Sequence, residues 1–88
     1  MKTIVASVGH GGLNRTDDVR LVQELLNRHI QPPQRPLVVD GVISPRTIAA
    51  IATFQRCVLN MHRPDGCIQP GDCTIAALMR QTEQPPSP

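Results

Sequence analysis

Four side chains that could bind a metal or act as nucleophiles lie within a short stretch: Cys57, His62, Cys67 and Cys73. Thiolates and imidazoles are the ligands of structural zinc sites, but such sites usually contain closely spaced cysteine pairs. The four residues are evenly separated instead, so the pattern does not favour a metal. We expect three free thiols, with Cys57 partly buried on a helix. A disulfide between Cys67 and Cys73 remains the alternative in an oxidising compartment.

Catalysis would need two converging carboxylates, or a nucleophile paired with a base. Asp40 and Asp65 are the acids in related positions, and each directly precedes a glycine. Their carboxylates are therefore explained as acceptors for the backbone N–H groups of a turn. A thiol–imidazole pair, Cys57 with His62, has no visible residue to orient it. We predict no catalytic residue in this chain.

A glycine-rich segment, Gly-His-Gly-Gly at 9–12, lies between an extended stretch and a helix. Dinucleotide-binding loops have this placement, but they need a further glycine and βαβ units for which the chain has no room. We interpret 9–12 as a turn that fixes the N-terminal arm. No cofactor is predicted.

Composition narrows the ligand classes. Phe54 is the only aromatic residue among 88, although sugars and single-stranded nucleic acids are usually bound on aromatic faces. The net charge is +2 and the basic residues are dispersed. A helix predicted over 45–59 offers only Arg46 and Arg56 for reading DNA. A ligand must therefore be held by hydrogen bonds and shape, and no nucleic-acid partner is predicted.

The first helix is predicted over 17–30. Thr16 is placed to cap it, and Asp17 and Asp18 lie at the positive end of its dipole. Apolar residues at helical spacing predict its buried face: Val19, Val22, Leu25, Leu26 and His29 or Ile30. The solvent-facing side is predicted to carry the polar residues Arg20, Gln23, Glu24, Asn27 and Arg28.

Two further helices are predicted. Ser44 supplies a capping hydroxyl and Pro45 suits the first helical position, so the second helix should begin there and run to about Leu59. A third, short helix can begin at Asp72 or Cys73. The residues predicted to face the core from these two helices are Ile48, Ile51, Phe54 or Gln55, Val58, Ile75, Leu78 and Met79.

The remaining segments complete an all-α prediction. Residues 3–8 predict a short extended N-terminal arm, and 37–39 predict a brief strand-like piece. The sequence Gln-Pro-Pro-Ser-Pro at 84–88 lacks apolar groups that it could bury in a core. We therefore expect one three-helix domain over 1–80 and a disordered Pro-rich C-terminal tail or linker over 81–88.

A turn–helix internal repeat is the most informative feature of the sequence. Asp-Gly-Val-Ile-Ser-Pro at 40–45 is matched by Asp-Gly-Cys-Ile-Gln-Pro at 65–70. Thr-Ile-Ala-Ala-Ile at 47–51 is matched by Thr-Ile-Ala-Ala-Leu at 74–78. In each copy the aspartate can accept from the turn, the glycine supplies an unusual φ, and the isoleucine faces inward. The two units are expected to pack with pseudo-symmetry around one core.

These residues resemble the peptidoglycan-binding domain family. Its motifs are V-Q-x-L-L, then V-D-G with a later threonine, then A-I-x-x-F-Q. Here they stand at 22–26, at 39–41 with Thr47, and at 50–55. The match covers about 18–79, and the order and spacing of the motifs agree together. The glycine-rich segment and the second repeat are similar to a bacterial branch found in larger proteins, including wall-degrading effectors.

The resemblance implies a peptidoglycan-binding-domain-like fold that binds glycan or stem peptide without cutting it, as the targeting part of an attached or partner enzyme or a secreted effector. Relatives also serve as docking modules, so docking onto a secretion or phage-like apparatus is the alternative. The implied location is the periplasm or cell envelope. Residues 1–8 lack the apolar region of a secretory signal, so we expect export from the cytoplasm without a classical signal peptide.

Polar residues beside the two Asp-Gly turns are the candidate ligand-binding groups: Asp40, Ser44, Arg46, Gln55, Arg63 and Asp65. Arginine can pair with stem-peptide carboxylates. Each residue also has a structural explanation, as a turn former, a structural hydrogen-bonding group or a solvated charge. Two positions depart from the family, since Ile43 replaces a common aromatic and Ser44 replaces the usual glycine. Ser44 makes a close approach of ligand to backbone doubtful.

Overall fold

Three helices and one pair of very short strands form over residues 3–30 and 34–83, the part of the chain that this computed structural model describes. In chain order the elements are β1 (Val8–Gly9), α1 (Thr16–Asn27), α2 (Pro45–Val58), β2 (Cys67–Ile68) and α3 (Cys73–Glu83). The prediction of a small, mostly helical fold is confirmed. Helix α3 extends to Glu83, three residues past the predicted domain boundary at residue 80, and residues 84–88 of the predicted tail lie outside the described residues.

Side-chain caps set the starts of α2 and α3, as predicted. The Ser44 hydroxyl accepts a hydrogen bond from the backbone N–H of Thr47 at 3.2 Å, and Pro45 occupies the first turn. The Asp72 carboxylate accepts from the backbone N–H of Ile75 at 3.0 Å. Each oxygen satisfies an N–H group that has no partner within its own helix.

The predicted cap of α1 is wrong. Thr16 lies inside the helix, and Arg15 is the capping residue, without a side-chain hydrogen bond. The Asp18 carboxylate is not directed at its own helix end either. It accepts hydrogen bonds from the backbone N–H groups of Val5 at 3.1 Å and Ala6 at 2.9 Å. Asp18 therefore ties the N-terminal arm to α1, and it does so while buried.

The N-terminal arm bends at residues 5 and 6 and forms a strand only at Val8–Gly9, where it pairs with the second repeat. Val8 and Gly9 form a two-stranded antiparallel sheet with Ile68 and Cys67. The side chains of the arm alternate, with Ile4, Ala6 and Val8 buried and Val5 exposed. The partner strand was not predicted, because a two-residue strand leaves no periodicity to detect.

The core lies where the three helices meet the arm. Its buried members are Ile4, Val8, Val19, Val22, Leu25, Leu26, Leu37, Ile51, Phe54, Ile68, Ile75, Ala77 and Leu78. Most were expected on the inward faces, but Val58 is exposed because it lies at the end of α2. Leu37 is buried within an irregular segment, since 37–39 do not form the strand-like piece that was predicted.

Among the glycines, Gly9 has the closest contact with neighbouring backbone atoms. Its φ is +121°, and an added Cβ would overlap the carbonyl oxygen of Gly66 and lie 2.9 Å from the Cα of Cys67. The backbone of His10 donates to that same Gly66 oxygen at 3.0 Å. Asn14 holds the turn from the other side, accepting from the N–H of Gly9 at 2.7 Å. The segment 9–12 is thus the turn that was predicted.

Replacing Gly9 by alanine should destabilise the protein more than the same change at Gly11. Gly11 has a φ of +75° but open space around it, so Gly11→Ala should cost about 1–2 kcal/mol from backbone strain alone. Gly9→Ala adds a collision with backbone atoms, which we expect to cost about 1–3 kcal/mol more. Urea unfolding of both variants measures this difference. Equal losses would contradict the close contact between the arm and the second repeat.

Candidate functional site

A buried glutamine on α1 holds the first Asp-Gly turn. The Gln23 side chain is 1% exposed. Its amide nitrogen donates to the Asp40 carboxylate at 3.2 Å, the Val42 carbonyl at 3.1 Å and the Thr47 hydroxyl at 3.3 Å. Its oxygen accepts from the backbone N–H groups of Asp40 at 3.1 Å and Gly41 at 2.9 Å. The turn is therefore fixed to α1 through one side chain.

A second glutamine, on α2, makes four hydrogen bonds to the second turn that correspond to four of the five made by Gln23. The Gln55 amide nitrogen donates to the Asp65 carboxylate at 2.9 Å, the Cys67 carbonyl at 3.1 Å and the Thr74 hydroxyl at 3.3 Å. Its oxygen accepts from the backbone N–H of Gly66 at 3.0 Å. Gln55 is also 1% exposed. The internal repeat thus includes a glutamine from the preceding helix in each copy.

We call each of these units a glutamine clamp, the first formed by Gln23 with 40–47 and the second by Gln55 with 65–74. The surroundings dictate the orientation of each amide, since acceptors surround the nitrogen and N–H groups face the oxygen. Exchanging the amide nitrogen and oxygen would place donors against donors and acceptors against acceptors. Because a buried polar group without a partner costs about 1–3 kcal/mol, each glutamine also sets the conformation of its turn.

The aspartates are turn formers, as one of the two interpretations predicted. Asp40 accepts from the N–H of Val42 at 2.9 Å, and Asp65 accepts from the N–H of Cys67 at 3.1 Å. That backbone hydrogen bond, followed by the glutamine amide, lowers the pKa of Asp40 below its ordinary value. The pKa of Asp65 is lowered by the equivalent pair of contacts. Both carboxylates are therefore charged at neutral pH.

The glycine of each turn adopts a positive φ, +74° at Gly41 and +66° at Gly66. An added Cβ at Gly41 would approach the backbone oxygen of Thr16 to 2.9 Å. The first turn is thus packed directly onto the start of α1. The glycine satisfies both the φ and the close approach.

A small cavity lies beside the first glutamine clamp. Its volume is about 150 Å³, and its lining residues are Gln23, Leu37, Val38, Asp40, Ser44, Arg46 and Thr47. Asp40, Arg46 and Ser44 thus bring a carboxylate, a guanidinium and a hydroxyl to one place. Such a set can bind a polar ligand through hydrogen bonds and charge pairing.

Two larger cavities continue from this one along the exposed face of α2. The first, of about 350 Å³, shares Leu37 and Arg46 with it. The second, of about 260 Å³, shares Ala50 and Thr53 with the first. We call the three together the α2 groove. It runs from Asp40 to the end of the helix.

His29 lines the far end of the α2 groove. Its ring meets Phe54 edge-on, with the centroids 5.1 Å apart. The Nε2 atom is buried and has no hydrogen-bond partner within the described part of the chain. Burial lowers the pKa of His29, so this end of the groove carries no charge at neutral pH.

The six predicted binding residues divide between the two repeats. Asp40, Ser44 and Arg46 come together in the α2 groove, whereas Arg63 and Asp65 lie exposed at the second turn. Gln55, predicted as either a ligand-binding or a structural residue, has the structural role. As a ligand-binding residue it is corrected, because its side chain is buried and its polar atoms are already paired.

The three cysteines are free thiols in the structure. Cys67 is buried, while Cys73 is exposed at the start of α3. The expectation for Cys57 is wrong, since its side chain is exposed on α2 and lines the groove. Over the described residues, no group of three or more histidines, cysteines or acids is arranged to hold a metal ion. Among the helices of the same residues, none has the length and apolar character to cross a membrane.

Gln23 is the position that the sequence prediction placed wrongly, on the solvent-facing side of α1, whereas Asn27, predicted on the same side, is half-buried. Gln23 is buried, and Asn27 bonds the backbone of Leu37 in both directions, at 2.9 and 2.7 Å. One signal could have revealed Gln23. Gln23 directly follows the core residue Val22 and precedes the first Asp-Gly turn. Gln55 directly follows the core residue Phe54 and precedes the second Asp-Gly turn.

Replacing either clamp glutamine by leucine should destabilise the fold. The volume is similar, but Gly41 or Gly66 would keep a buried N–H without a partner, at a cost of about 1–3 kcal/mol. Gln69 is exposed beside the second clamp, so Gln69→Leu is the matched control and should change stability by less than about 0.5 kcal/mol. Chemical unfolding of Gln23→Leu, Gln55→Leu and Gln69→Leu makes the comparison. If Gln23→Leu and Gln55→Leu lose no more stability than Gln69→Leu, the two glutamines do not stabilise the fold.

Comparison of the chain with protein-family models, with curated proteins and with solved structures gave no match. The family resemblance of the motifs therefore stays a prediction. The function must be argued from the α2 groove and from the residues around it.

Proposed function

We propose that the chain is a non-catalytic peptidoglycan-binding module with the fold of that family, and that the α2 groove is its binding site. The observation that carries the proposal is the cavity beside the first clamp, where Asp40, Ser44 and Arg46 converge. The V-D-G motif supplies Asp40, and its V-Q partner supplies the glutamine that fixes the turn. Gln23, Asp40 and Thr47 thus belong both to the motifs behind the resemblance and to the lining of this cavity.

The chemistry of the groove suits a peptide-bearing polymer. Stem peptides offer carboxylates and amides, and a guanidinium pairs with carboxylates through parallel hydrogen bonds. One nitrogen of Arg46 donates to the Arg35 carbonyl at 3.3 Å, which holds the side chain over the groove and leaves further N–H donors available. The Asp40 carboxylate can accept from an amide or an amine.

Binding through such contacts is expected to be weak. Phe54, the only aromatic residue, is buried in the core and offers no platform for a sugar ring. An exposed ion pair contributes only about 0.2–1 kcal/mol. Weak binding is sufficient for a targeting module, because it raises the local concentration of an attached or partner wall-degrading enzyme or secreted effector. The expected site of action is the periplasm or cell envelope.

A docking module of a secretion or phage-like apparatus is the second candidate. One observation favours it: Val38 and Val42, which flank the first turn, are 70% and 60% exposed. Exposed aliphatic side chains next to a rigid turn are typical of a protein-contact surface. The wall-binding proposal is preferred because the cavity next to these valines is polar and charged.

Sedimentation with purified, insoluble peptidoglycan tests the proposal. The parent protein should sediment at low salt and less at high salt, because screening weakens exposed charges. Arg46→Ala should weaken binding by about 1.5- to fivefold, the equivalent of one exposed charge pair. Arg56→Ala is the matched control, since Arg56 is exposed on the same helix but does not line the groove. A folded parent protein that stays in the supernatant at low salt would favour docking instead.

A further inference from the structure

We infer that the outer edge of the first Asp-Gly turn binds an extended segment of a partner protein, which joins the domain as an added β-strand. We call residues 41–43 the first edge and the equivalent residues of the second repeat, 66–68, the second edge. The segment that fits carries an aliphatic residue directly followed by glycine. The chain itself shows this mode of binding, because its own N-terminal arm occupies the second edge.

The two turns have the same backbone conformation. In each, the aspartate accepts from the N–H two residues later, at 2.9 Å from Val42 and 3.1 Å from Cys67. The clamp glutamine donates to the carbonyl of that same residue, at 3.1 Å in both turns. The φ angles of Gly41 and Gly66 are +74° and +66°. The backbone groups that the clamps leave unused are therefore arranged alike at the two edges.

The second edge shows what these unused groups can bind. Val8 and Gly9 of the arm pair with Ile68 and Cys67 in antiparallel register. The N–H of the next arm residue donates to the carbonyl oxygen of the turn glycine at 3.0 Å. With the arm in place, Ile68 is fully buried and Cys67 is only 9% exposed. The arm thus satisfies the backbone of this edge and covers its side chains.

The first edge is open. Within the described part of the chain, the Gly41 carbonyl and the Ile43 N–H have no hydrogen-bond partner. Val42, the equivalent of Cys67, is 60% exposed, and Ile43 is only half-buried. Unpaired backbone groups beside exposed aliphatic side chains form a template for another strand. Extended peptides bind such edges through main-chain hydrogen bonds.

The arm also indicates the composition of the segment. An added Cβ at Gly9 would overlap the carbonyl oxygen of Gly66. The Gly41 carbonyl has the equivalent position at the first edge, so glycine opposite Val42 avoids the same overlap. The preceding residue lies opposite Ile43, where an aliphatic side chain would cover the half-buried isoleucine. A valine–glycine pair in antiparallel register satisfies both conditions.

The first edge and the proposed wall-binding groove are different surfaces. Val42 and Ile43 line none of the three cavities of the α2 groove. A segment bound at the first edge therefore leaves the groove free for wall material. Binding of a partner protein here goes beyond the proposed function and does not depend on it.

Nuclear magnetic resonance titration of the labelled protein with a copy of its own arm tests the inference. The probe is the peptide of residues 4–11, acetylated and amidated at its ends, which contains the valine–glycine pair. We expect saturable shifts at 41–43. Cys67 and Ile68 should not shift, because the tethered arm already occupies the second edge. Shifts confined to Cys67 and Ile68, or no saturable shift at 41–43, would overturn the inference.

Two altered peptides test the pairing itself. Methylation of the histidine amide nitrogen removes the donor for the Gly41 carbonyl and should weaken binding about two- to tenfold, the usual effect of one lost hydrogen bond. Valine in place of the glycine that precedes this histidine should weaken binding about fivefold or more, because its side chain collides with that carbonyl. If all three peptides bind equally well, no strand is added at this edge.

Two protein variants test the location. Val42→Lys should weaken peptide binding by about 1.5- to fivefold, because a lysine on a sheet edge opposes pairing. Leu13→Lys is the matched control, since Leu13 is 77% exposed and lies outside the edge. Both changes are at exposed positions, so both proteins should stay folded. Equal peptide binding by Val42→Lys and Leu13→Lys would contradict the assignment to the first edge.

Further outcomes distinguish the occupants and the two surfaces. Shifts at 41–43 that depend on protein concentration without peptide would identify a second copy of the chain as the occupant and overturn the partner assignment. Val42→Lys should sediment with peptidoglycan like the parent protein, and its loss of sedimentation would contradict the separation of edge and groove. A parent protein that binds the peptide but does not sediment would overturn the proposed function and support the inference made here.

Discussion

Two buried glutamine side chains hold the loops of this small domain. A turn of the Asp-Gly type leaves several N–H and carbonyl groups facing inward, where water cannot satisfy them. Gln23 and Gln55 each reach from a helix into such a turn and pair both kinds of group at once. With only 88 residues, the chain can bury limited apolar surface, so irregular segments need this kind of specific support.

The rest of the architecture depends on these clamps. The first clamp fixes the turn that leads into α2, and so it sets where Ser44 caps the helix and where Arg46 projects over the groove. The second clamp positions Gly66, whose carbonyl oxygen receives the N–H of His10 from the N-terminal arm. Arm, turns and helices are therefore connected through backbone groups that the two glutamines orient. The proposed site uses one clamp, while the other holds the arm.

The sequence predicted the features that depend on local chemistry. The caps at Ser44 and Asp72, the three helices and the repeat all follow from residue type and spacing, and the structure agrees with them. It did not predict features that depend on distant partners. Gln23 was predicted on the solvent-facing side of α1, because a polar residue on an amphipathic helix is normally solvated. Its partners lie 17 or more residues away, so only the folded chain brings them together.

Thr16 and Asp18 illustrate the same limit. Both match a helix start by residue type, yet the Asp18 carboxylate bonds the arm, 12 and 13 residues earlier. The Asp18 side chain therefore makes a tertiary contact, although its position in the sequence predicts an interaction with the end of its own helix. The sequence predicted candidate binding residues beside the two Asp-Gly turns, and Asp40, Ser44 and Arg46 among them line the smallest cavity of the α2 groove. The extension of the groove along α2 arises from Asn27, whose two hydrogen bonds to Leu37 shape the opposite wall.

Amide hydrogen exchange at Gly41 and Gly66 tests the role of the clamps most directly. Both amides lie in turns, where exchange is usually fast, but here each is buried and bonded to a glutamine oxygen. We expect these two amides to exchange as slowly as amides in the middle of α1, because only global unfolding breaks their hydrogen bonds. Gly71, an exposed glycine with open space around it, should exchange rapidly. If Gly41 and Gly66 exchange as fast as Gly71, the turns open independently of the core, and the claim that buried glutamines hold the fold and its groove is contradicted.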